Sequence, residues 1–194
     1  MSRIVLSGPQ NMTLDGRVHD PDGAEGSRYG DWFRRFGGAD LEPWNAVATE
    51  EALGATAWLL GRRSYEFFGS RWRDRSGPLA DRLNNLSKYV VSTTLTDPDW
   101  TNTTVLAGDP VTQVAELKAR TEGEIIIPAS YQLGRTLIAH DLVDELRVVV
   151  FPVVIGEGER LFDSTTGYKP TQLIDATIIG AGLTHLRYQF LRST

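Results

Sequence analysis

Four short stretches carry the groups that can do chemistry. Gly61-Arg62-Arg63-Ser64 follows the apolar run Ala57-Trp58-Leu59-Leu60 and opens a helical pattern. A glycine at a strand end lets backbone amides approach a ligand, and the following helix N-terminus presents unpaired N–H groups to an anion. Two guanidinium groups beside it supply forked donors for a phosphate. The competing reading is a strand–helix turn with solvated arginines, and this tripeptide alone does not decide between the two. Ser92-Thr93-Thr94 ends another strand, where hydroxyls hold a phosphate or simply cap a turn. Pro128-Ala129-Ser130 is an elbow between a strand and a helix. Asp15-Gly16 is first of all a turn signal.

These stretches need elements to hold them. Glu124 to Ile127 is a short apolar run whose β-branched residues suit a strand buried on both faces. Leu133, Leu137 and Ile138 then line one helix face, and Leu146 to Val154 forms a second strand. Strand, elbow, helix and strand make a βαβ unit, which calls for a parallel pair with a right-handed crossover. Ligands of such sheets bind outside the carboxyl ends of the strands, so the elbow at Pro128 to Ser130 is the first place to look. Upstream, Ile4-Val5-Leu6 reads as a strand that stops at Ser7-Gly8-Pro9, and His19 to Ser27 as a mobile loop over something. Tyr29 to Phe36 is a short helix with an aromatic face. There Asp31 beside Trp32 places a polar group at a possible pocket edge, although such a stripe is more often core. Thr49 is a plausible N-cap for a helix to Ala55, with Glu50 and Glu51 in its first turn. Further helices cover Leu79 to Leu86 and Thr112 to Arg120, and further strands Lys88 to Ser92 and Thr103 to Leu106. Thr171 to Ile179 and Leu183 to Leu191 close the chain as a hairpin about Gly180-Ala181-Gly182.

Composition removes several kinds of chemistry. The 194 residues contain no cysteine, which excludes disulfides, thiolate catalysis and cysteine-based zinc sites. His19, His140 and His185 lack metal-ligand spacing. A formal charge of −5 speaks against a nucleic-acid partner, which wants a basic face. No apolar run reaches membrane-spanning length, and Met1-Ser2-Arg3 leads straight into a strand, leaving no room for a signal peptide. A single cytoplasmic α/β domain spanning residues 1–194 is the expectation.

Four segments in this order resemble one family. They are Thr13-Leu14-Asp15-Gly16-Arg17, Leu60 to Glu66 (LGRRSYE), Lys88 to Ser92 (KYVVS), and Leu142 to Leu146 (LVDEL) running on to Pro152-Val153-Val154-Ile155-Gly156. Together they resemble a stand-alone member of the dihydrofolate reductase-like superfamily, nearest to the pyrimidine reductase domain of riboflavin biosynthesis. The resemblance covers Ile4 to Leu191. It implies a mixed, mostly parallel central sheet with helices on both faces and an antiparallel C-terminal hairpin. It also implies NADPH, with Gly61, Arg62, Arg63 and Ser64 at the pyrophosphate and adenosine end, Arg62 or Arg63 on the 2′-phosphate, and Ser92 and Thr93 as hydrogen-bond partners. Leu14, Asp15 and Gly16 would lie over the nicotinamide, and Ala129, Ser130 and Leu133 would pack on the diphosphate. The family usually has glycine where this chain has Ala129, which restricts the backbone and the approach of a dinucleotide.

The implied activity is hydride transfer to a small heterocycle or carbonyl. Asp15 is the best-placed acid by resemblance. Asp31 and Glu50 are further candidates on the substrate side, with Trp32 as a wall, and water is an equal alternative as proton source. The other reading is a binding protein that keeps the fold without turnover. A homodimer, sheet-edge or face-to-face, through the alternating apolar residues of Leu146–Val154 and Leu183–Leu191 is also expected.

Overall fold

The computed structural model describes residues 1–192. Eight strands form one sheet: β1 (Arg3–Thr13), β2 (Ala57–Gly61), β3 (Ser87–Val91), β4 (Thr103–Leu106), β5 (Glu124–Ile127), β6 (Glu145–Phe151), β7 (Thr171–Ile179) and β8 (Leu183–Phe190). Their order is β4-β3-β2-β5-β1-β6-β8-β7. The first six are mutually parallel, and β8 and β7 add antiparallel pairs at the β6 side. The helices are α1 (Trp32–Gly37), α2 (Leu41–Gly54), α3 (Arg62–Trp72), α4 (Pro78–Asn85), α5 (Pro110–Arg120) and α6 (Tyr131–Ala139).

Side-chain alternation explains why both faces are covered. Ile125 and Ile127 point into a core with Ile4, Leu6, Leu59, Val114 of α5 and Leu137 of α6. Ile126 between them points the other way, toward Trp58, Leu60, Tyr65 of α3 and Leu83 of α4. After Glu124 the strand is therefore apolar at all three positions, as a strand with helices on both sides must be. No helix among the described residues is long and apolar enough to cross a membrane.

Four expectations are corrected here. First, β5 and β6 are parallel but not neighbours, because β1 lies between them, with Val5 level with Ile126 on one side and Glu145 on the other. The crossover through α6 spans two strand spacings, about 10 Å. Second, β1 does not stop at Leu6. It continues through Gly8 and Pro9 to Thr13, with an irregularity in its register to β6 between Leu6 and Gln10. Third, α2 begins at Leu41 and not near Thr49. Pro43 is tolerated because it sits in the first turn, where amides have no intrahelical partner. Fourth, the sheet-edge form of a dimer cannot use Leu146–Val154 or Leu183–Leu191, because β6 lies between β1 and β8, and β8 between β6 and β7. The free edge on that side is β7, with Leu173, Ile174 and Ile178 exposed.

Candidate functional site

The carboxyl ends of β1, β2, β3, β5 and β6 meet at one rim, and the loops that leave them build the site. Two helix N-termini converge there. Gly61 ends β2 and precedes α3, and no side chain caps that helix. Ser130 precedes α6 and likewise donates no cap to its own helix. Instead its hydroxyl accepts a hydrogen bond from the Gly61 amide at 3.0 Å and donates to the Pro128 carbonyl at 3.2 Å. One buried hydroxyl thus ties the two junctions together, leaving the first-turn amides of both helices as anion donors.

The two arginines have different surroundings. Arg62 is engaged with Glu66 at 2.7 Å and with the Thr94 hydroxyl at 2.6 Å, and so leans toward the end of β3. Arg63 is exposed and makes no side-chain hydrogen bond or ion pair among the described residues. Burial and the carboxylates of Glu159 and Glu25 push the Tyr131 phenol up, while Arg135 and Arg63 pull it back. The expected hydroxyl partners are divided. Ser92 caps its own turn, accepting from the amides of Thr94 and Leu95 at 3.2 and 3.0 Å. Thr93 is exposed, and Thr94, which the sequence reading left unassigned, is the hydroxyl that meets Arg62. Ser64 is the third residue of α3, and Leu133 packs its side chain on the core beneath α6.

Ala129 occupies the left-handed region at φ +51. The elbow thus keeps a glycine-type backbone with an alanine in it, at a cost of about 1–2 kcal/mol. Ala129→Gly relieves that strain but adds freedom to the unfolded chain. We expect a net gain of about 0.5–1 kcal/mol, a rise in Tm of about 2–3 °C by calorimetry. An unchanged or lower Tm would show that the elbow is not strained.

Beneath the elbow, Gly8 of β1 has φ +119, and a Cβ placed there would lie 2.7 Å from Pro128 Cβ and 2.9 Å from Pro128 Cα. The same bulge carries Ser7, whose hydroxyl donates to Glu51 at 2.5 Å, while the Gly8 amide donates to the same carboxyl oxygen at 3.0 Å. Glu51 is 8% exposed, and burial pushes its carboxyl up against the opposing pull of Ser7, Arg147 and Gly8. Sequence reasoning named Glu50, which lies exposed on the outer side of α2; its neighbour is the buried acid. The signal was available in the helix period: with α2 starting at Leu41, Glu51 falls in line with Trp44, Val47 and Ala48.

On the β6 side, Leu14, Asp15 and Gly16 are clasped to the loop after β6. Leu14 donates its amide to the Val153 carbonyl at 2.9 Å, and Leu161 donates to the Gly16 carbonyl at 2.9 Å. Asp15 accepts from the Thr13 hydroxyl at 2.6 Å and from the amides of Gly156 and Ile155 at 2.9 and 3.3 Å. Arg17 donates to the Gly156 and Gly158 carbonyls at 2.9 and 2.6 Å. Partial burial pushes the Asp15 carboxyl up, but the bonds from Thr13, Gly156, Ile155 and Arg17 outweigh it and hold the group at about 2. At neutral pH Asp15 is an ionised fastener with its oxygens occupied, so the expectation that it donates a proton does not fit the geometry. Leu14 is 62% exposed above this clasp.

The remaining expectations separate as well. Trp32 is 1% exposed, donates its indole N–H to the His19 carbonyl at 2.9 Å and packs edge-on to Phe151; it is core, not a substrate wall. Asp31 sits at φ +62 before α1 and pairs with Arg34 at 2.7 Å. The loop from His19 to Ser27 is organised by Asp20, which is 2% exposed and accepts from the amides of Glu25 and Ser27 at 2.9 and 2.8 Å. Asp22 then reaches Arg71 in the last turn of α3 at 3.1 Å, which anchors the loop on that helix.

The residues present suit a dinucleotide. Two uncapped helix N-termini and an unpaired Arg63 point to a diphosphate, and Arg62 with Thr94 offers a second cationic donor site one strand further out.

Comparison with known proteins follows the same line. The family profile described as RibD C-terminal domain matches residues 10–184. A Bacillus subtilis protein, YyaP, whose own activity is uncharacterised, is 26% identical over 138 residues, covering 68% of this chain and 72% of that one. Among solved structures, a Shewanella sp. PV-4 protein ascribed to riboflavin biosynthesis superposes with TM-score 0.72 at 21% identity, covering 98% of this chain and 99% of the other. A pyrimidine reductase-like protein from Corynebacterium diphtheriae gives TM-score 0.63 at 14% identity, with 99% and 92% covered. Dihydrofolate reductase from Enterococcus faecalis, complexed with NADP(H), gives 0.56 at 13%, with 98% and 96% covered. At these identities the structures establish the fold, which is dihydrofolate reductase-like.

Proposed function

We propose that this chain, which belongs to the RibD C-terminal domain family, is an NADPH-dependent reductase of a small heterocyclic or carbonyl substrate. The observation that carries the reading is the Ser130–Gly61 tie, which sets two uncapped helix N-termini beside an unpaired arginine. The α3 and α6 amides with Arg63 would hold the diphosphate. Arg62, with Thr94, would meet the 2′-phosphate. Leu14, held out by the Asp15–Arg17 clasp, would cover one face of the nicotinamide and leave the substrate side open to water. When bound, the nicotinamide supplies the hydride; the protein supplies position and electrostatics. Asp15 is ionised and committed to backbone amides, so the proton comes from water reaching the reduced carbon's neighbour. The family likeness to a pyrimidine reductase supports a flat nitrogen heterocycle as the electrophile.

The different surroundings of the two arginines make the test specific. In titrations followed by Trp fluorescence, Arg63→Ala should weaken NADPH and NADH alike by about 10–100-fold, the loss of one charge-assisted pair of about 1.5–3 kcal/mol. Arg62→Ala should weaken NADPH alone and abolish preference over NADH. Absence of binding at millimolar NADPH refutes the reductase reading. Binding without oxidation by any pterin, pyrimidine or small carbonyl would favour a protein that keeps the fold and binds without turnover.

A further inference from the structure

On the far side of the Leu14–Asp15 clasp lies a groove that the cofactor reading does not use. Its floor is the extended segment Val153–Ile155. One edge of this segment is hydrogen-bonded to Leu14 and Asp15, through the Val153 carbonyl and the Ile155 amide. Its other side faces Tyr29, Arg35 and Phe36, which with Val153, Val154 and Ile155 enclose an open cavity of about 260 Å³. A smaller one of about 160 Å³ adjoins it, shares Tyr29 and Ile155, and carries His19, Ser27 and Glu157 at its polar end, so the anion of a ligand belongs at the Arg35 end. Tyr29 is 37% and Phe36 41% exposed, so two aromatic side chains present part of their surface to this space.

The charge in the groove is distinctive. Arg34 is paired with Asp31, and Arg28 lies over the Tyr29 ring at 5.0 Å. Arg35 lies over the Phe36 ring at 5.8 Å but makes no ion pair and no side-chain hydrogen bond among the described residues, so no anion neutralises it. This is a chain with 25 acidic and 20 basic residues, in which most arginines near the rim find a carboxylate. An unpaired guanidinium against an aromatic and apolar wall is a site for a planar ring bearing an oxyanion: the ring meets the aromatic side chains, and the fork takes the carboxylate, sulfonate or phosphate.

We propose that this groove is the substrate subsite, and that it selects planar molecules carrying an anionic group, with the anion on Arg35 and the ring between Tyr29, Phe36 and the Val153–Ile155 floor. Its claim to be the substrate end rests on the reductase reading, because the groove borders the reacting end only if Leu14 covers the nicotinamide. Binding to the groove itself does not depend on cofactor.

Two probes of the same ring body test it: anilinonaphthalenesulfonate, which carries the anion, and N-phenylnaphthylamine, which does not. The sulfonate should saturate at one per chain, and Arg35→Ala should weaken it tenfold or more while the neutral probe changes less than twofold. Arg34→Ala, one residue away and already paired with Asp31, should leave both unchanged. Tyr29→Ala should weaken both probes. Equal sulfonate binding by the Arg35→Ala protein overturns the proposal, as does a loss matched by Arg34→Ala. The two readings fail separately. Sulfonate binding that depends on Arg35 in a protein that ignores NADPH would keep the groove and remove the reductase. NADPH binding with no saturable sulfonate site would do the reverse.

Discussion

Replacing Arg147 with methionine should cost about 3–5 kcal/mol of stability at pH 7, the loss expected when one partner of a buried ionic cluster is removed. Arg147 lies on β6 with its side chain 10% exposed. It forks onto Glu124 at 2.9 and 2.7 Å, donates through Nε to Glu145 at 2.7 Å and stands 3.8 Å from Glu51. Arg187 shares the same Glu145 oxygen at 2.9 Å, and Arg3 pairs with the other. Methionine fills much of the volume, so the loss reports charge and not a cavity. Glu124, Glu145 and Glu51 would then share Arg3, Arg187 and the nearby His185, whose imidazole in the parent is pushed down by burial and by Arg187 and Arg147.

The pH dependence has a definite sign. Glu51, already pushed up by burial, loses the downward pull of Arg147 and rises further above the unfolded value. Stability tied to a raised pKa is present at low pH and is lost as pH rises through that value. The gap between Arg147→Met and the parent should therefore be widest near pH 7 and narrow toward pH 5. Urea unfolding at both pH values measures it. A difference under about 1 kcal/mol at each pH would mean that the cluster is not held by Arg147.

What could be read in advance divides by the range of the interaction that decides it. Thr103–Leu106 and Thr171–Ile179 emerge with the bounds that local β-propensity implies, and Gly61 marks its junction because glycine, arginine and a helix start lie within three residues. The Asp15-Gly16 turn is equally local. That the Asp15 carboxyl is spent on amides 140 residues downstream is not local, and that contact turns a candidate acid into a fastener. Glu51 depends on helix phase: a helix begun at Thr49 makes Glu50 and Glu51 equivalent first-turn acids, whereas one begun at Leu41 puts only Glu51 on the buried stripe. Gly8-Pro9 is a strong local stop for β1, and only pairing with β6 carries the strand past it.

The same bulge gives the second large effect. Gly8→Ala should destabilise the protein by about 3 kcal/mol or more and weaken NADPH more than tenfold in the molecules that fold. The new methyl would meet Pro128 Cβ at 2.7 Å and Pro128 Cα at 2.9 Å, and the second of these is backbone that cannot swing aside. A φ of +119 adds strain for any residue with a Cβ. The elbow has to retreat, and Ser130 retreats with it. Its hydrogen bond to the Gly61 amide then lengthens, and the two helix N-termini lose their common register. A double-mutant cycle separates this from general damage. Pro128→Gly removes one of the two clashing atoms, so Gly8→Ala in that background should cost at least 1 kcal/mol less than it does alone. Strict additivity, or a Gly8→Ala protein that binds NADPH like the parent, would show that β1 and the elbow are not coupled. Affinity would then reside in Arg62 and Arg63 alone, with no contribution from how the elbow presents the α6 amides.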